Sequence, residues 1–332
     1  MVSFVIRRLF LLVPVIFLVG LVTFILMRSA PGSPWDTNAE RRQVDEITQR
    51  RLNQYYGLDK PIWRQFVAYM IGDFNEKGEF VCGFMCGHMG PSYRQRGRQV
   101  EDILFEAPED GTFWESKFGY SARLGGLALG IAIVIGIPLG VISALRQNTL
   151  ADYLSLFVAT AGVSLPNLVL GIFFIIIFAS WLGWVDVAPK NWDNVSVWIL
   201  PAIVLSFGTL AFTTRLTRSS MLEVIRQDYV RTARSKGLAE RVVITRHMIK
   251  NALIPVVTIL GPALAALVTG SFIIETMYAF PGMGREYVRS IFNRDYSMIM
   301  GTTLFFAVLV ALANLTVDIV YVFLDPRIRL SE

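Results

Sequence analysis

The sequence is poor in charged residues and in the side chains that most enzymes use for catalysis. Only 17% of its 332 residues are charged, whereas soluble domains average about 25%. It has two histidines, two cysteines and no HExxH pair, which excludes a zinc hydrolase of that type. It also has no GxxxxGK[ST] motif, which excludes a P-loop for nucleotide phosphates. The composition therefore argues against a soluble protein and against a chain that hydrolyses ATP itself.

Long uncharged runs take the place of the missing charge. A bilayer core of about 30 Å requires roughly 20 apolar residues in a helix, and each run approaches or exceeds that length. Only helices and closed barrels satisfy backbone hydrogen bonds in lipid, and barrel strands are shorter and alternate in polarity. The runs therefore predict membrane-spanning helices. They comprise residues 9–27, 124–145, 153–185, 194–214, 251–274 and 296–317.

The distribution of Lys and Arg sets the predicted orientation. Residues 215–250 contain nine Lys or Arg against three acidic residues, and such loops stay in the cytoplasm. Two spans within 153–185 would place this loop outside, so we expect one span there, with extra helix or a kink near Pro166. Arg327 and Arg329 then also lie inside. The predicted fold is an all-α polytopic membrane protein with six transmembrane helices and both termini in the cytoplasm. The net charge of +5 reflects this rule, and no nucleic acid is expected.

This topology divides the chain into three parts. Residues 1–27 form the first transmembrane helix, which we expect to be retained because its apolar core is long for a signal peptide and no A-x-A pattern follows. Residues 28–120 form an extracytoplasmic subdomain, in which WRQFVAYMIGDF and VEDILFEA have helical apolar spacing. Residues 121–332 form a five-helix core with a cytoplasmic loop at 215–252.

The extracytoplasmic subdomain contains both cysteines, in the motif CGFMC. An oxidising compartment favours a local disulfide between Cys82 and Cys86, and two unpaired structural thiols are the alternative. A metal site would require more ligands than these cysteines and nearby His88, so none is expected.

The predicted spans contain few ionisable residues. Glu275 lies at the outer end of the fifth span, and Asp318 lies near the cytoplasmic end of the sixth. Charges at membrane depth often mark ion or proton paths, so both are candidates for a translocation path. For Asp318 the alternative is a structural pair with a basic residue at the inner boundary, such as Arg215. No relay of acids is present, which disfavours an ion-driven transporter. Close helix packing is predicted from GxxxG patterns in the second span, at Gly126, Gly130, Gly136 and Gly140.

The basic loop has a pattern of its own. The stretch DYVRTARSK is rich in helix formers and is followed by Gly237, a residue type that commonly ends helices. The next stretch, AERVVITRHMIKNAL, has helical apolar spacing, and Pro255 then has a favourable position near the start of the fifth span. We therefore expect two short helices joined by a sharp glycine turn. From these residues alone, a docking element and an amphipathic helix on anionic lipid are equally supported.

Two stretches of the loop resemble the cytoplasmic loop of ABC-importer permeases of the dipeptide and oligopeptide branch. They are ARSKGL, which contains Ala233 and Gly237, and RHMIKNALIP, which contains Asn251 and Pro255. Arg231 stands where the general motif has Glu, and the Leu-Pro expected soon after the glycine is absent. Further stretches are similar to the B-type subunit of this branch, so the resemblance covers nearly the whole chain. They are RRLFLLVPVIFLVGLVTFILMRSAPGSP, GLDKPIWRQF, GHMGPSYRQRGRQVEDIL, ETMYAFPGMG and NLTVDIVYVFLDPRIR.

The resemblance implies a non-catalytic permease subunit of an ATP-driven importer in a bacterial or archaeal inner or plasma membrane. It implies a heterodimer with a homologous C-type permease, two ATPase subunits that bind ATP and Mg, an extracytoplasmic solute-binding protein, surrounding lipid, and no cofactor on this chain. Asn167 would lie near the pathway. The implied coupling residues, within 229–255, are Arg231, Ala233, Arg234, Lys236, Gly237, Leu238, His247, Asn251 and Pro255.

Peptides are the expected cargo, and several alternatives stay open. Similar permeases carry nickel chelates, glutathione or oligosaccharides. A stand-alone secondary transporter would require intramembrane ionisable residues and inverted repeats, neither of which is evident. A membrane anchor or receptor would have no ATPase partner.

Overall fold

The described chain is built mostly of helices, as the apolar runs predict. The computed structural model describes residues 2–31, 34–35, 45–74, 78–187, 189 and 191–324. The α-helices are α1 (Val2–Ser29), α2 (Glu46–Tyr55), α3 (Ile62–Met70), α4 (Val100–Phe105), α5 (Lys117–Leu145), α6 (Leu150–Ser164), α7 (Asn167–Phe174), α8 (Ser196–Ile225), α9 (Asp228–Ser235), α10 (Glu240–Val242), α11 (Lys250–Val268), α12 (Phe272–Met277), α13 (Met283–Asn293) and α14 (Tyr296–Leu324). Strands β1 (Gly72–Phe74) and β2 (Phe80–Cys82) form an antiparallel hairpin.

Two wider π-helical segments and two short 3₁₀ turns complete the described elements. The π-helical segments are Ile175–Trp181, which continues α7, and Val243–Ile249, which joins α10 to α11. The 3₁₀ turns are Phe84–Cys86 and Phe113–Glu115.

Within the described residues, five helical segments are long and apolar enough to cross a membrane. They lie in α1, α5, α8, the run from α10 to α12, and α14. The pair of α6 and α7 would add a sixth span if it crosses as one broken helix. The structure thus agrees with a polytopic helical membrane protein, and the number of six spans and the side faced by each loop stay predictions. Residues 325–332, including Arg327 and Arg329, lie outside the described residues.

The third apolar run is broken in the middle, where α6 and the helix that begins with α7 meet at 108°. Leu165 and Pro166 are both extended at this point, with ψ of 124° and 139°. The proline ring disfavours the helical conformation of the residue before it, which explains why α6 ends here. The position of the predicted kink is confirmed, but an extended break replaces the continuous kinked helix.

One of the two compact units includes residues 121–281 and the later part of α14 from residue 310. Its central helix is α8, which packs against α6, α7 and α11. Small residues let α5 approach α8 closely. A Cβ atom added at Gly140 would lie 2.5 Å from Cβ of Thr217 and 2.6 Å from the backbone oxygen of Thr214.

The GxxxG prediction is confirmed for one pair of glycines, and for the other pair it stays a prediction. Gly136 and Gly140 face α8, whereas a Cβ atom at Gly126 or Gly130 would meet no atom of the described chain within 4 Å. The two pairs are ten residues apart in sequence, which is not a whole number of helical turns. They therefore lie on different sides of α5.

The contrast between the two pairs gives a testable difference. We expect Gly140→Ala to destabilise the protein by about 1–3 kcal/mol, because overpacking forces neighbouring atoms to shift. Gly130→Ala is the matched control, since it adds the same methyl group to the same helix without a close neighbour. The thermal unfolding midpoints of both purified variants measure the difference. Equal midpoints would show that α5 and α8 are not in close contact at Gly140.

A buried ion pair joins three helices of this unit. Asp152, which is 1% exposed in the first turn of α6, accepts hydrogen bonds from Nε and Nη2 of Arg218 in α8 at 2.7 and 2.8 Å. The hydroxyl of Ser143 in α5 and the backbone amide of Asn148 donate to the same carboxylate. Both carboxylate oxygens thus have two donors, so the charge is fully compensated. Neither Asp152 nor Arg218 was predicted from the sequence to have a role.

The second compact unit joins the predicted extracytoplasmic segment to two further parts of the chain. It contains residues 5–120 together with 282–309, which include most of α1, all of α13 and the start of α14. Its hydrophobic clusters draw on all three parts, and one of them comprises Met89, Val100, Ile103, Leu104, Met283 and Met298. The boundaries at 27/28 and 120/121 stay predictions, but segment 28–120 does not pack as a separate body.

The predicted helices within this segment are found as α3 and α4. The end of the first predicted helix was wrong, because GDF forms β1 and pairs with FVC of β2. Asp73 of β1 binds Nζ of Lys60 at 2.8 Å and Nη2 of Arg64 at 3.1 Å. Hydrogen bonds from Arg64 and Lys60 hold the pKa of the Asp73 carboxyl below its ordinary value. The carboxylate therefore stays ionised and paired at neutral pH.

Candidate functional site

The basic loop folds around the short helix α9. Val230 and Ala233, on one side of α9, are buried in a hydrophobic cluster. Their partners come from α5, α8, the π-helical segment and α11, and comprise Val141, Ala144, Met221, Val243, Met248 and Ala252. The alanine of the ARSKGL motif is thus an inward packing residue. A small side chain is required there because α9 lies close to the helices below it.

The turn after α9 has the geometry that a glycine permits. Gly237 has φ of +73°, a conformation that glycine adopts at little cost. Its amide donates to the oxygen of Arg234 at 2.9 Å, and the amide of Leu238 donates to the oxygen of Ala233 at 3.4 Å. These two bonds form a Schellman motif, which satisfies the last carbonyl groups of the helix. The prediction that α9 ends at Gly237 is confirmed.

The remaining motif residues of α9 and its turn point outward. Arg231, Lys236, Gly237 and Leu238 are all exposed. Arg231 lies 3.6 Å from Asp228 in a pair that is open to solvent, and such pairs contribute little to stability. The outward surface therefore combines positive charge with one apolar side chain, Leu238. It makes few contacts with the rest of the described chain.

Arg234 closes the glycine turn. Its Nε and Nη2 atoms donate to the two carboxylate oxygens of Glu240 at 3.1 and 2.6 Å. This two-bond geometry is the strong form of an arginine–carboxylate contact. It ties α9 to the first residue of α10, so Arg234 holds the turn in shape.

The second half of the loop differs from the prediction. We expected a second short helix that ends before Pro255, but α10, the π-helical segment and α11 form one uninterrupted helical run. Pro255 lies exposed inside α11 and not near a helix start. No residue between Glu240 and Ile254 breaks a helix, and a proline within a membrane helix is tolerated when neighbouring groups satisfy the freed carbonyl.

Asn251 joins this helical run back to α9. Its Nδ2 atom donates to the hydroxyl of Tyr229 at 2.8 Å and lies 3.4 Å from the carbonyl oxygen of His247. His247 itself is half-buried in the π-helical segment. The predicted loop residues thus form one assembly, with Ala233 and Asn251 holding α9 in place and Arg231, Lys236 and Leu238 presented on the outside.

The sequence matches two family descriptions. Residues 136–330 match "Binding-protein-dependent transport system inner membrane component", and residues 1–109 match the N-terminal part of such membrane components. The chain belongs to this family. The permease is accordingly a multi-pass protein of the bacterial inner membrane.

Relatives extend over the whole permease. It is 39% identical to the dipeptide transport system permease protein DppB of Bacillus subtilis (strain 168), over 100% of this chain and 99% of that protein. It is 36% identical to the oligopeptide transport system permease protein OppB of Escherichia coli (strain K12), over 99% and 100% of the two chains. Among solved structures, it is similar to a chain of the MetNI methionine ABC transporter, with a TM-score of 0.49 and 17% identity over 63% and 94% of the chains.

The three pathway candidates lie on different helices of the permease. Asn167 is half-buried as the first residue of α7, directly after the break at Pro166. Glu275 in α12 is fully buried and accepts a hydrogen bond from the hydroxyl of Ser121 at 2.7 Å. Asp318 is half-buried in α14. Their role in translocation stays a prediction.

Cys82 and Cys86 are bonded to each other, with their Cα atoms 5.9 Å apart. The bond connects the end of β2 to the short turn that follows it. It lies in the second unit, whereas the loop around α9 lies in the first.

Tyr229 and Glu240 were missed by sequence reasoning, although each holds the loop together. The only indication of these two residues in the sequence is how many positions separate each from its partner on the other side of the glycine turn. Glu240 lies six residues after Arg234, and Asn251 lies 22 residues after Tyr229. Only a turn that reverses the chain brings such residues into contact, so the pairs become recognisable once the geometry at Gly237 is known.

Proposed function

We propose that this permease is the transmembrane subunit of an ATP-driven importer for di- or oligopeptides, and that the loop around α9 receives motion from ATPase subunits. The observation that carries the proposal is the division within the loop. Its inward residues fix α9 to the bundle, while Arg231, Lys236 and Leu238 are presented on an exposed basic surface. In a chain of this family without a P-loop, such a surface is suited to a separate ATPase.

The proposed coupling is a docking event. The exposed side of α9 and its turn fit into a groove on an ATPase subunit, which binds ATP and Mg. Closure of two ATPase subunits then displaces both docked loops. The displacement has an effect only if the loops bind the two ATPase arrangements with different affinity, because a partner without differential affinity shifts no equilibrium.

The proposed topology has six spans with both termini in the cytoplasm. The α6–α7 pair crosses as one broken span, residues 28–120 lie outside, and residues 121–332 form the permease core with the loop 215–252 inside. A homologous C-type permease completes the pathway, and an extracytoplasmic solute-binding protein delivers the cargo. Asn167, Glu275 and Asp318 are the candidates for contact with the path.

Support for peptide cargo comes from the relatives, whose names are dipeptide and oligopeptide transport system permeases. Nickel chelates, glutathione and oligosaccharides are the alternative solutes. The test is uptake into vesicles that contain the complete reconstituted complex, with ATP inside and a labelled peptide or sugar outside. We expect peptide uptake that requires ATP and is insensitive to collapse of the proton gradient.

Each contrary outcome removes a different part of the proposal. Uptake of an oligosaccharide without peptide uptake would overturn the cargo. Uptake driven by a proton gradient without ATP would favour an ion-driven transporter. A complex purified from native membranes without any ATPase subunit would favour an anchor or receptor.

A further inference from the structure

The helix α3, which follows the first membrane span in sequence, runs back along that span. Arg28, at the end of α1, hydrogen-bonds Gln65 in the first half of α3. Five residues later, Met70 lies against Gly20 of α1, where an added Cβ atom would be 3.1 Å from the Met70 sulfur. The chain therefore descends along α1 as α3 proceeds from Gln65 to Met70.

Aromatic contacts fix the same alignment between these two points. The ring of Phe66 lies 5.5 Å from that of Phe24 and 6.3 Å from that of Phe17, measured between centroids. Met70 is fully buried in the same cluster, which also includes Leu304 of α14. One side of α3 is thus packed onto the middle of α1 and not onto its outer tip.

The depth of these contacts follows from the length of α1. Arg8 and Arg28 are the charged residues that bound its apolar stretch, and at 1.5 Å per residue they are about 30 Å apart, which equals the hydrocarbon thickness of a bilayer. Gly20 lies eight residues before Arg28, so the side chain of Met70 lies about 12 Å below that end of the span. This depth is within the hydrocarbon region of one leaflet.

The side of α3 next to its packed face is apolar and uncovered. Trp63, Val67 and Ile71 follow one another at intervals of four residues, so they form a stripe along the helix. Their exposed fractions are 68%, 37% and 46%, and the neighbouring Ile62 is 63% exposed. At the same depth α1 exposes its own apolar residues, which are Leu18, Leu21, Val22, Ile25 and Leu26.

We propose that α3 is immersed in the leaflet that contains the C-terminal end of α1, with the Trp63–Val67–Ile71 stripe in contact with lipid acyl chains. The segment after the first span therefore dips into the membrane before it leaves again. Ile71 marks the deepest part of the stripe, because it directly follows Met70. Trp63 lies close to the level of Arg28, which is the interfacial depth that tryptophan favours.

The positions of the charged residues beside the stripe are consistent with this immersion. Lys60 and Arg64 precede Gln65, so they lie at the shallow end of this segment, near the level of Arg28. Asp73 reaches back to both of them from β1. The charges are thus paired at the membrane boundary, whereas the residues from Phe66 to Gly72 carry none. If the stripe faced water, a continuous apolar surface would be hydrated, which is unfavourable in free energy.

The immersion goes beyond the proposed transport function and does not depend on it. It requires only that α1 crosses the membrane. It also modifies the proposed topology, because part of residues 28–120 then lies at membrane depth and not in the aqueous compartment.

Spin labels test the immersion directly. The two native cysteines are bonded to each other, so Val67→Cys and Ile71→Cys each supply one reactive thiol for a nitroxide. Collision rates with oxygen, which concentrates in lipid, and with a neutral nickel chelate, which stays in water, are measured on the full chain in liposomes. Ile25→Cys in α1 is the lipid-exposed control, and Tyr55→Cys in α2, at a residue that is 70% exposed, is the water-exposed control.

We expect labels at positions 67 and 71 to match Ile25→Cys, with an oxygen-to-nickel collision ratio several-fold above that of Tyr55→Cys. A nickel collision rate equal to that of Tyr55→Cys would overturn the proposal in favour of water. Protection from both reagents would overturn it in favour of a protein partner.

A second measurement attaches no label, so it guards against a labelled variant that misfolds. Quenching of fluorescence by lipids brominated along the acyl chain is compared between the wild-type protein and Trp63→Phe. The difference between the two emission intensities is the fluorescence of Trp63, and we expect the brominated lipids to quench it. An unquenched difference would contradict contact with acyl chains.

Discussion

Replacing Asp152 with alanine is expected to lower the free energy of unfolding by about 3–5 kcal/mol, because the loss of one partner leaves a largely buried charge uncompensated. Arg218 would lose both hydrogen bonds to the carboxylate, and Ser143 and the amide of Asn148 would lose their acceptor. The three helices joined at this point would separate more easily. Denaturant or thermal unfolding of the purified permease in detergent measures the change.

Asp228→Ala is the matched control for this experiment. Asp228 also pairs with an arginine, Arg231, but its side chain is 96% exposed and the atoms are 3.6 Å apart. Exposed pairs contribute at most about 1 kcal/mol. If Asp152→Ala destabilises the protein no more than Asp228→Ala, the buried pair does not hold the helices together. The double variant Asp152→Leu with Arg218→Met should recover much of the loss, since apolar replacement of a whole buried pair is often neutral.

Replacing Gly237 with proline is expected to remove most of the solute-stimulated ATPase activity of the assembled transporter. Proline fixes φ near −65°, whereas the native φ is +73°. It also removes the amide that bonds the oxygen of Arg234. The Schellman turn cannot form, so the exposed residues Lys236 and Leu238 leave their positions. The rate of ATP hydrolysis with and without the solute-binding protein and its cargo measures the effect.

Two further substitutions at this position distinguish the effect of backbone conformation from the effect of side-chain size. A Cβ atom at Gly237 would have no atom of the described chain within 4 Å, so a side chain causes no clash within the permease. Alanine should then have only the free-energy cost of the left-handed backbone conformation, roughly 1–2 kcal/mol. Asparagine tolerates that conformation, so its cost should be smaller. The expected order of activity is glycine, asparagine, alanine, proline. Wild-type stimulation in Gly237→Pro would mean that this loop is not the ATPase contact.

Local patterns in the sequence were sufficient for several parts of the fold. Uncharged runs identified the apolar helices, because length and hydropathy are properties of consecutive residues. The end of α9 at Gly237 and the break at Pro166 were also predictable, since glycine and proline act on their own backbone and on the adjacent residue. The resemblance in the loop selected residues that the structure brings together, although they are spread over more than twenty positions.

The remaining features depend on contacts between distant residues. Asp152 and Arg218 are separated by 66 positions, and nothing near either residue indicates the other. The GxxxG pattern could not distinguish Gly130 from Gly140, because spacing alone does not say which side of α5 faces a neighbour. The continuation of the helix through Pro255 was missed for a related reason. A proline favours a helix start in an isolated segment, but in a packed bundle its missing hydrogen bond is tolerated.

The uninterrupted run from Glu240 to Val268 makes this part of the permease a single helical rod about 40 Å long. Arg234 and Asn251 hold its first half to α9, and we propose that its apolar second half lies in the bilayer. If an ATPase subunit docks at the turn as proposed, we expect its displacement to tilt the run as a whole. If the rod bends, Pro255 and Pro262 are the weak points, because each lacks the amide that would brace the preceding turn.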